Sequence, residues 1–229
     1  MTNPNHDDDI AKAATALAEV GGRIDLARKI AAREDEAVTL IAISKTHDAN
    51  VIEPFIAAGH RDFGENRVQE AQSKWPELKE RHPGLMLHMV GQLQSNKAAD
   101  AVALFDVIHS LDRPSLAKAL AAAMDKAGKR LPCFIQVNIG DEDQKGGCAI
   151  GDLPELIELA RALDLPLAGL MCVPPAGLEP APYFALLAKL AKDHGLAGLS
   201  MGMSGDFETA VKIGASHVRI GSSLFGTRG

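Results

Sequence analysis

Aromatic residues are scarce in this chain: 4% of 229 residues, with one Trp and one Tyr. Ala, Leu, Val and Ile must fill the interior, which suits an α/β protein better than a β-sandwich, where aromatic side chains carry much of the core. Cysteine is equally sparse. Cys133, Cys148 and Cys172 are far apart and form no CxxC pair, so there is no disulfide framework and no thiolate metal site, as expected in a reducing compartment. No apolar run approaches the roughly 20 residues of a membrane helix; the longest, such as 38–43 and 167–173, have the length of strands. Positive charge is in deficit, 24 Lys and Arg against 30 Asp and Glu, which argues against a nucleic-acid face or an anionic-membrane face. The start carries Asp7-Asp8-Asp9, where a secretory signal needs a basic flank and an apolar stretch. A soluble, cytoplasmic protein is expected.

What is present is a rhythm. At 46% hydrophobic and 24% charged the chain is ordinary globular material, and no linker, charge block or repeat divides it. Short apolar runs bounded by Gly, Pro or polar turns alternate with longer Ala/Leu-rich amphipathic segments. After a leading helix over 10–33, strands are predicted at 38–44, 61–63, 86–89, 106–109, 133–138, 167–172, 198–200 and 217–220. Helices are predicted between them at 51–58, 67–79, 95–103, 114–127, 153–163, 182–194 and 206–213. Eight such units fit a single TIM (β/α)8 barrel with an extra N-terminal helix; a doubly wound open sheet is the alternative, since alternation alone does not show closure. The whole of 1–229 reads as one domain, with 1–9 a flexible start.

Barrel chemistry sits where strands end and βα loops begin. Lys45 directly follows Leu40-Ile41-Ala42-Ile43-Ser44. It is either a lysine snorkelling to solvent as its strand ends or an amine that, partly desolvated near other cations, attacks an aldehyde. Ser200-Met201-Gly202-Met203-Ser204-Gly205-Asp206 follows the seventh strand and Arg219-Ile220-Gly221-Ser222-Ser223 the eighth. Glycines let backbone N–H groups approach phosphate oxygens and hydroxyls add donors; the plainer reading makes these residues turns and caps, with Ser204 or Asp206 as an N-cap. Together with a first-strand lysine, the two loops point to a phosphorylated aldehyde.

At this point the residues resemble a known family, the pyridoxal 5′-phosphate homeostasis proteins, which have the fold of the alanine-racemase N-terminal domain. The matching stretches include Ala42-Ile43-Ser44-Lys45-Thr46, Phe63-Gly64-Glu65-Asn66-Arg67-Val68-Gln69-Glu70 and His88-Met89-Val90-Gly91-Gln92-Leu93-Gln94-Ser95-Asn96-Lys97. Gln136-Val137-Asn138-Ile139, Lys145-Gly146-Gly147, Gly169-Leu170-Met171 and the two C-terminal loops complete the set. The resemblance implies that Lys45 carries pyridoxal 5′-phosphate as a Schiff base. It also implies that Ser204, Gly221 and Ser222 hold the phosphate and that Arg219 faces the pyridine nitrogen. Asn66, His88 and Ser200 fall at family motif positions around the pocket.

Pyridoxal phosphate stabilises a carbanion best when its ring nitrogen is protonated beside an acidic partner; an arginine there works against that. Racemases of this fold add a tyrosine base from a second domain. Here the chain is expected to lack that domain, and its one tyrosine, Tyr183, falls at a helix start with a structural role. The expectation is therefore a non-catalytic monomer that buffers the cofactor and delivers it transiently to apo-enzymes. A single-domain pyridoxal-phosphate racemase or related enzyme is the alternative, and a cofactor-free Schiff-base aldolase a weaker one. The eight histidines show no HExxH or clustered spacing, so no metal is expected. His88 and His109 read equally as pocket groups or as satisfied core imidazoles. Lys145, in the turn after the fifth strand, is a candidate for a secondary cofactor site. Glu70 and Lys74 read as an ordinary i,i+4 surface pair.

Overall fold

In the computed structural model, which describes residues 4–226, eight parallel strands close into a barrel in chain order, with the last paired to the first. The strands are β1 (Thr39–Ile43), β2 (Asp62–Glu65), β3 (Met86–Met89), β4 (Val107–Leu111), β5 (Cys133–Gln136), β6 (Leu167–Met171), β7 (Gly198–Ser200) and β8 (His217–Ile220). Closure decides against the open sheet and abolishes strand edges. The helices following the strands are α2 (Ala49–Ala57), α3 (Val68–Arg81), α4 (Ala98–Leu104), α5 (Pro114–Ala127), α6 (Leu153–Ala162), α7 (Ala181–Asp193), α8 (Phe207–Ile213) and α9 (Ser222–Phe225).

The leading helix α1 (Pro4–Ile30) begins earlier than the apolar pattern indicates. Residues 4–9, expected to be a flexible start, belong to it; residues 1–3 lie outside the described part. Its buried residues Ala13, Val20, Ile24 and Ala27 recur at helical spacing and pack it against α2, α8 and α9, across the seam where the barrel closes. The acidic start hid the first turns because carboxylates near a helix N-terminus are favourable without being apolar.

Elsewhere the local rules act as expected. α5 opens on Pro114 and stops at Gly128 in the left-handed region, φ 61°. The predicted 95–103 helix is a 3-10 turn, Ser95–Lys97, followed by α4. The four-residue α9 carries too little periodicity to be read from sequence. β2 takes in Gly64 and Glu65, expected as loop, and β4 runs on to Leu111.

Outward-facing strand residues such as Ala42, Phe63, Leu87 and Ile135 join the helices in one apolar core that includes the sole tryptophan, Trp75. The lumen is different. Val107, Phe134 and Met171, with Ala168 and Val173, form a small apolar cluster there, and Ile41 and Ile43 face the missing Cβ of Gly64. Asp62, His88, His109, Ser200 and Arg219 occupy much of the remainder, where barrels of this kind usually stack branched aliphatic side chains. The three cysteines are buried and form no disulfide; burial pushes each thiol up to about 12.

Candidate functional site

The mouth at the C-terminal ends of the strands holds a cleft of about 660 Å³. Lys45, Asn66, Ser204, Arg219, Gly221 and Ser222 all line it, so residues from the ends of four strands meet in one place. Lys45 is half-buried, one residue past Ser44, whose N–H donates to Gly64 O across to β2 (3.0 Å).

The turn carrying Lys45 is clamped from behind. Lys74 on α3 is buried, and its ammonium donates to Ser44 O and His47 O, both at 2.9 Å. It also pairs with Glu65 Oε1 at 2.8 Å and Glu70 Oε1 at 3.1 Å. Glu65 is fully buried, and its Oε1 further accepts from Ser44 Oγ (2.6 Å) and Trp75 Nε1 (3.0 Å). The expected surface pair of Glu70 and Lys74 is therefore corrected: Lys74 belongs to a buried network behind the lysine turn. The i,i+4 spacing is present, but spacing alone does not show which helix face carries the pair.

Opposite, the Ser204 hydroxyl oxygen bridges the last two loops, accepting from the N–H groups of Gly221 (3.3 Å) and Ser223 (3.4 Å). Asp206 accepts from the Met203 N–H at 2.6 Å. Gly202 takes φ +95°, and a Cβ there would lie 2.6 Å from the Ala210 Cβ, so only glycine lets this loop turn tightly against α8. Gly91 makes a similar approach, its missing Cβ leaving room for the Asn66 backbone.

Arg219 is buried, and its guanidinium donates to Ser200 Oγ and Cys172 O, each at 2.8 Å. Burial pushes its pKa down, yet arginine keeps its proton. Among the described residues no carboxylate lies within ion-pair distance of it. Ser200 and His88 do not line the cleft. They sit in the lumen beneath it, Ser200 against Arg219 and His88 between His109 and Asp62. Both imidazoles are hydrogen-bonded lumen groups.

Met203 and Gly205 of the loop after β7 also line the cleft, as does His47, which no sequence motif above includes. His47 stacks on Phe225 at 4.7 Å; its place two residues after Lys45 was the available signal. Lys145 is held by Glu142 (2.5 Å) and Pro174 O (2.8 Å). Tyr183 packs against the apolar core and is absent from the cleft lining. No group of three His, Cys, Asp or Glu side chains among the described residues could hold a metal ion, and no described helix is long and apolar enough to cross a membrane.

Residues 20–229 match the alanine racemase N-terminal domain family. A pyridoxal phosphate homeostasis protein of Pseudomonas aeruginosa is 41% identical over 218 residues, 93% of this chain and 94% of that protein. The chain belongs to the pyridoxal phosphate homeostasis protein family. Among solved structures similar to this chain is PipY of Synechococcus elongatus with PLP bound, 37% identical with a TM-score of 0.80, covering 93% of this chain and all of that one. An alanine racemase of Clostridium difficile shares the fold at 15% identity and a TM-score of 0.67, covering 84% of this chain and 53% of its own.

Proposed function

We propose that this chain binds pyridoxal 5′-phosphate in the mouth cleft, linked to Lys45, and serves to buffer and deliver the cofactor rather than to turn over a substrate. The reading rests on membership of a family named for pyridoxal phosphate homeostasis and on the PLP-bound PipY relative. One observation carries it to the residue level. A lysine, a hydroxyl-and-N–H cradle and a buried guanidinium line the same cleft, which is of the size that encloses a small cofactor.

The donor set fits the group. Pyridoxal phosphate supplies an aldehyde that condenses with an amine and a ring that accepts electrons. Lys45 provides the amine. The Gly221 and Ser223 N–H groups sit at the long end of hydrogen-bonding distance from Ser204 Oγ, so a phosphate competes easily for them. Arg219 uses two of its five N–H donors on Ser200 and Cys172 and directs donors, never an acceptor, toward the cleft. Arg219 would offer a ring nitrogen a donor and no acceptor, which would favour the unprotonated ring and weaken it as an electron sink. That chemistry suits holding the cofactor better than using it.

Purified protein supplied with pyridoxal phosphate is expected to turn yellow, and borohydride followed by peptide mapping to fix the label on Lys45. Lys45→Ala should abolish the fixed label with the circular-dichroism spectrum unchanged. Protein that takes up no cofactor overturns the binding reading, and racemase or decarboxylase turnover at the rate of a dedicated enzyme overturns the carrier reading. Transfer to an apo-enzyme no faster than from free cofactor at matched concentration removes delivery and leaves buffering.

A further inference from the structure

Below the cleft, a continuous line of polar side chains crosses the lumen. Arg219 Nη1 lies 2.8 Å from Ser200 Oγ, and Ser200 Oγ lies 2.9 Å from His109 Nδ1. His109 Nε2 is 3.0 Å from His88 Nδ1, and His88 Nε2 is 3.1 Å from Asp62 Oδ1. The five residues come from β8, β7, β4, β3 and β2. Asp62 is the first residue of its strand and lies toward the opposite rim, partly exposed.

With both rings neutral, the two ends set the direction of every bond. A guanidinium only donates, so Ser200 accepts from Arg219 and can pass its own O–H to His109 Nδ1. An imidazole accepting at Nδ1 carries its proton on Nε2, so His109 donates to His88 Nδ1. His88 in turn donates from Nε2 to Asp62, which as a carboxylate only accepts. This set of proton positions satisfies all four contacts. Phe134 holds the His109 ring flat, stacked at 4.5 Å and 9°. The charged or titratable groups acting on His109 are His88, His217 and Arg219, and together with burial they hold it well below the usual histidine value, consistent with a neutral link.

We propose that Asp62, His88 and His109 are positioning residues for the ligand site: with Ser200 they form a directed hydrogen-bond relay that fixes the Arg219 guanidinium at the ring end of the cleft and connects it to a carboxylate at the far rim. The inference deepens the cofactor-binding reading and rests on it. It gives a reason for a polar lumen, since buried polar networks are costly unless complete and, when complete, hold one geometry.

The test uses the full chain with pyridoxal phosphate as probe. His109→Phe cuts the relay while keeping a flat ring against Phe134; His109→Gln keeps one acceptor and one donor. In His109→Phe, borohydride should still fix the label on Lys45, affinity should fall about tenfold, the loss expected for one hydrogen bond to a charged group, and the absorbance maximum of the bound cofactor should shift. His109→Gln should restore both. A folded His109→Phe with wild-type affinity and spectrum overturns the proposal, as does a His109→Gln no better than Phe. Where His109→Phe fails to fold, nitrogen NMR of the wild type decides. Protons on Nε2 of both His88 and His109 are expected, and a proton on Nδ1 of either breaks the relay. Wild-type protein that binds no cofactor while showing those tautomers overturns the binding reading instead.

Discussion

At the scale of single residues, the lysine turn depends on a charge it does not carry. Glu65 is fully buried, and Lys74 is the cation that compensates it. Lys74→Ala leaves Glu65 with two neutral donors and no counter-charge, which is expected to cost about 3–5 kcal/mol. The double variant Glu65→Leu/Lys74→Met should lose less, because it removes both charges and keeps the volume. Urea unfolding checks this, and a Lys74→Ala as stable as wild type would contradict the clamp. Lys45 itself was legible because it stands at the end of an apolar run; Lys74 was not. Its helix has the same i,i+4 pair in either rotation, and only the fold shows that α3 turns that face toward β1 and β2.

At the scale of elements, most strands show as short apolar runs between turn signals, and six of the eight expected site residues line the cleft because they fall at the ends of such runs. The exceptions have physical causes. Gly64 and Glu65 looked like loop because glycine weakens a strand pattern. Gly64 sits in β2 because a Cβ there would come within 2.6 Å of Ile43 Cδ1 inside the barrel. His88 and Ser200 stand at family motif positions around the pocket, with a core imidazole an equal expectation for His88. Alternation along a strand shows that a residue faces the lumen, but not how far below the mouth its side chain ends. The relay from Arg219 to Asp62 joins residues up to 157 positions apart, Asp62 to Arg219, and no local pattern encodes it.

The molecule as a whole inherits a pH dependence from its polar lumen. Burial, then neighbouring His88 and His217, holds His109 well below the usual 6.5; burial, then His88, brings His217 down to about 4. A folded-state pKa below the unfolded one means that the unfolded chain binds protons the folded chain refuses. Stability is therefore full above about pH 6.5 and falls as the solution is acidified. The His217 share is spent by about pH 4, where the folded form also takes up its proton. Each such group contributes about 1.4 kcal/mol per pH unit over its window. Unfolding midpoints measured in urea at pH 7.5, 6 and 5 should decline in that order, and a flat series would contradict the burial of these rings.

The closed ring also makes its thiols into a clock. Cys133 lies in β5, Cys172 directly follows β6, and the Cys148 N–H donates to Gln136 O at the end of β5, so all three mark one sector of the barrel wall. Buried, with pKa values near 12, they present almost no thiolate to an alkylating reagent until that sector opens. Equal labelling rates at the three positions would mean that the wall opens as a unit; a fast Cys148 beside two slow partners would mean that the loop frays while the strands hold. A barrel without edges should give the first pattern.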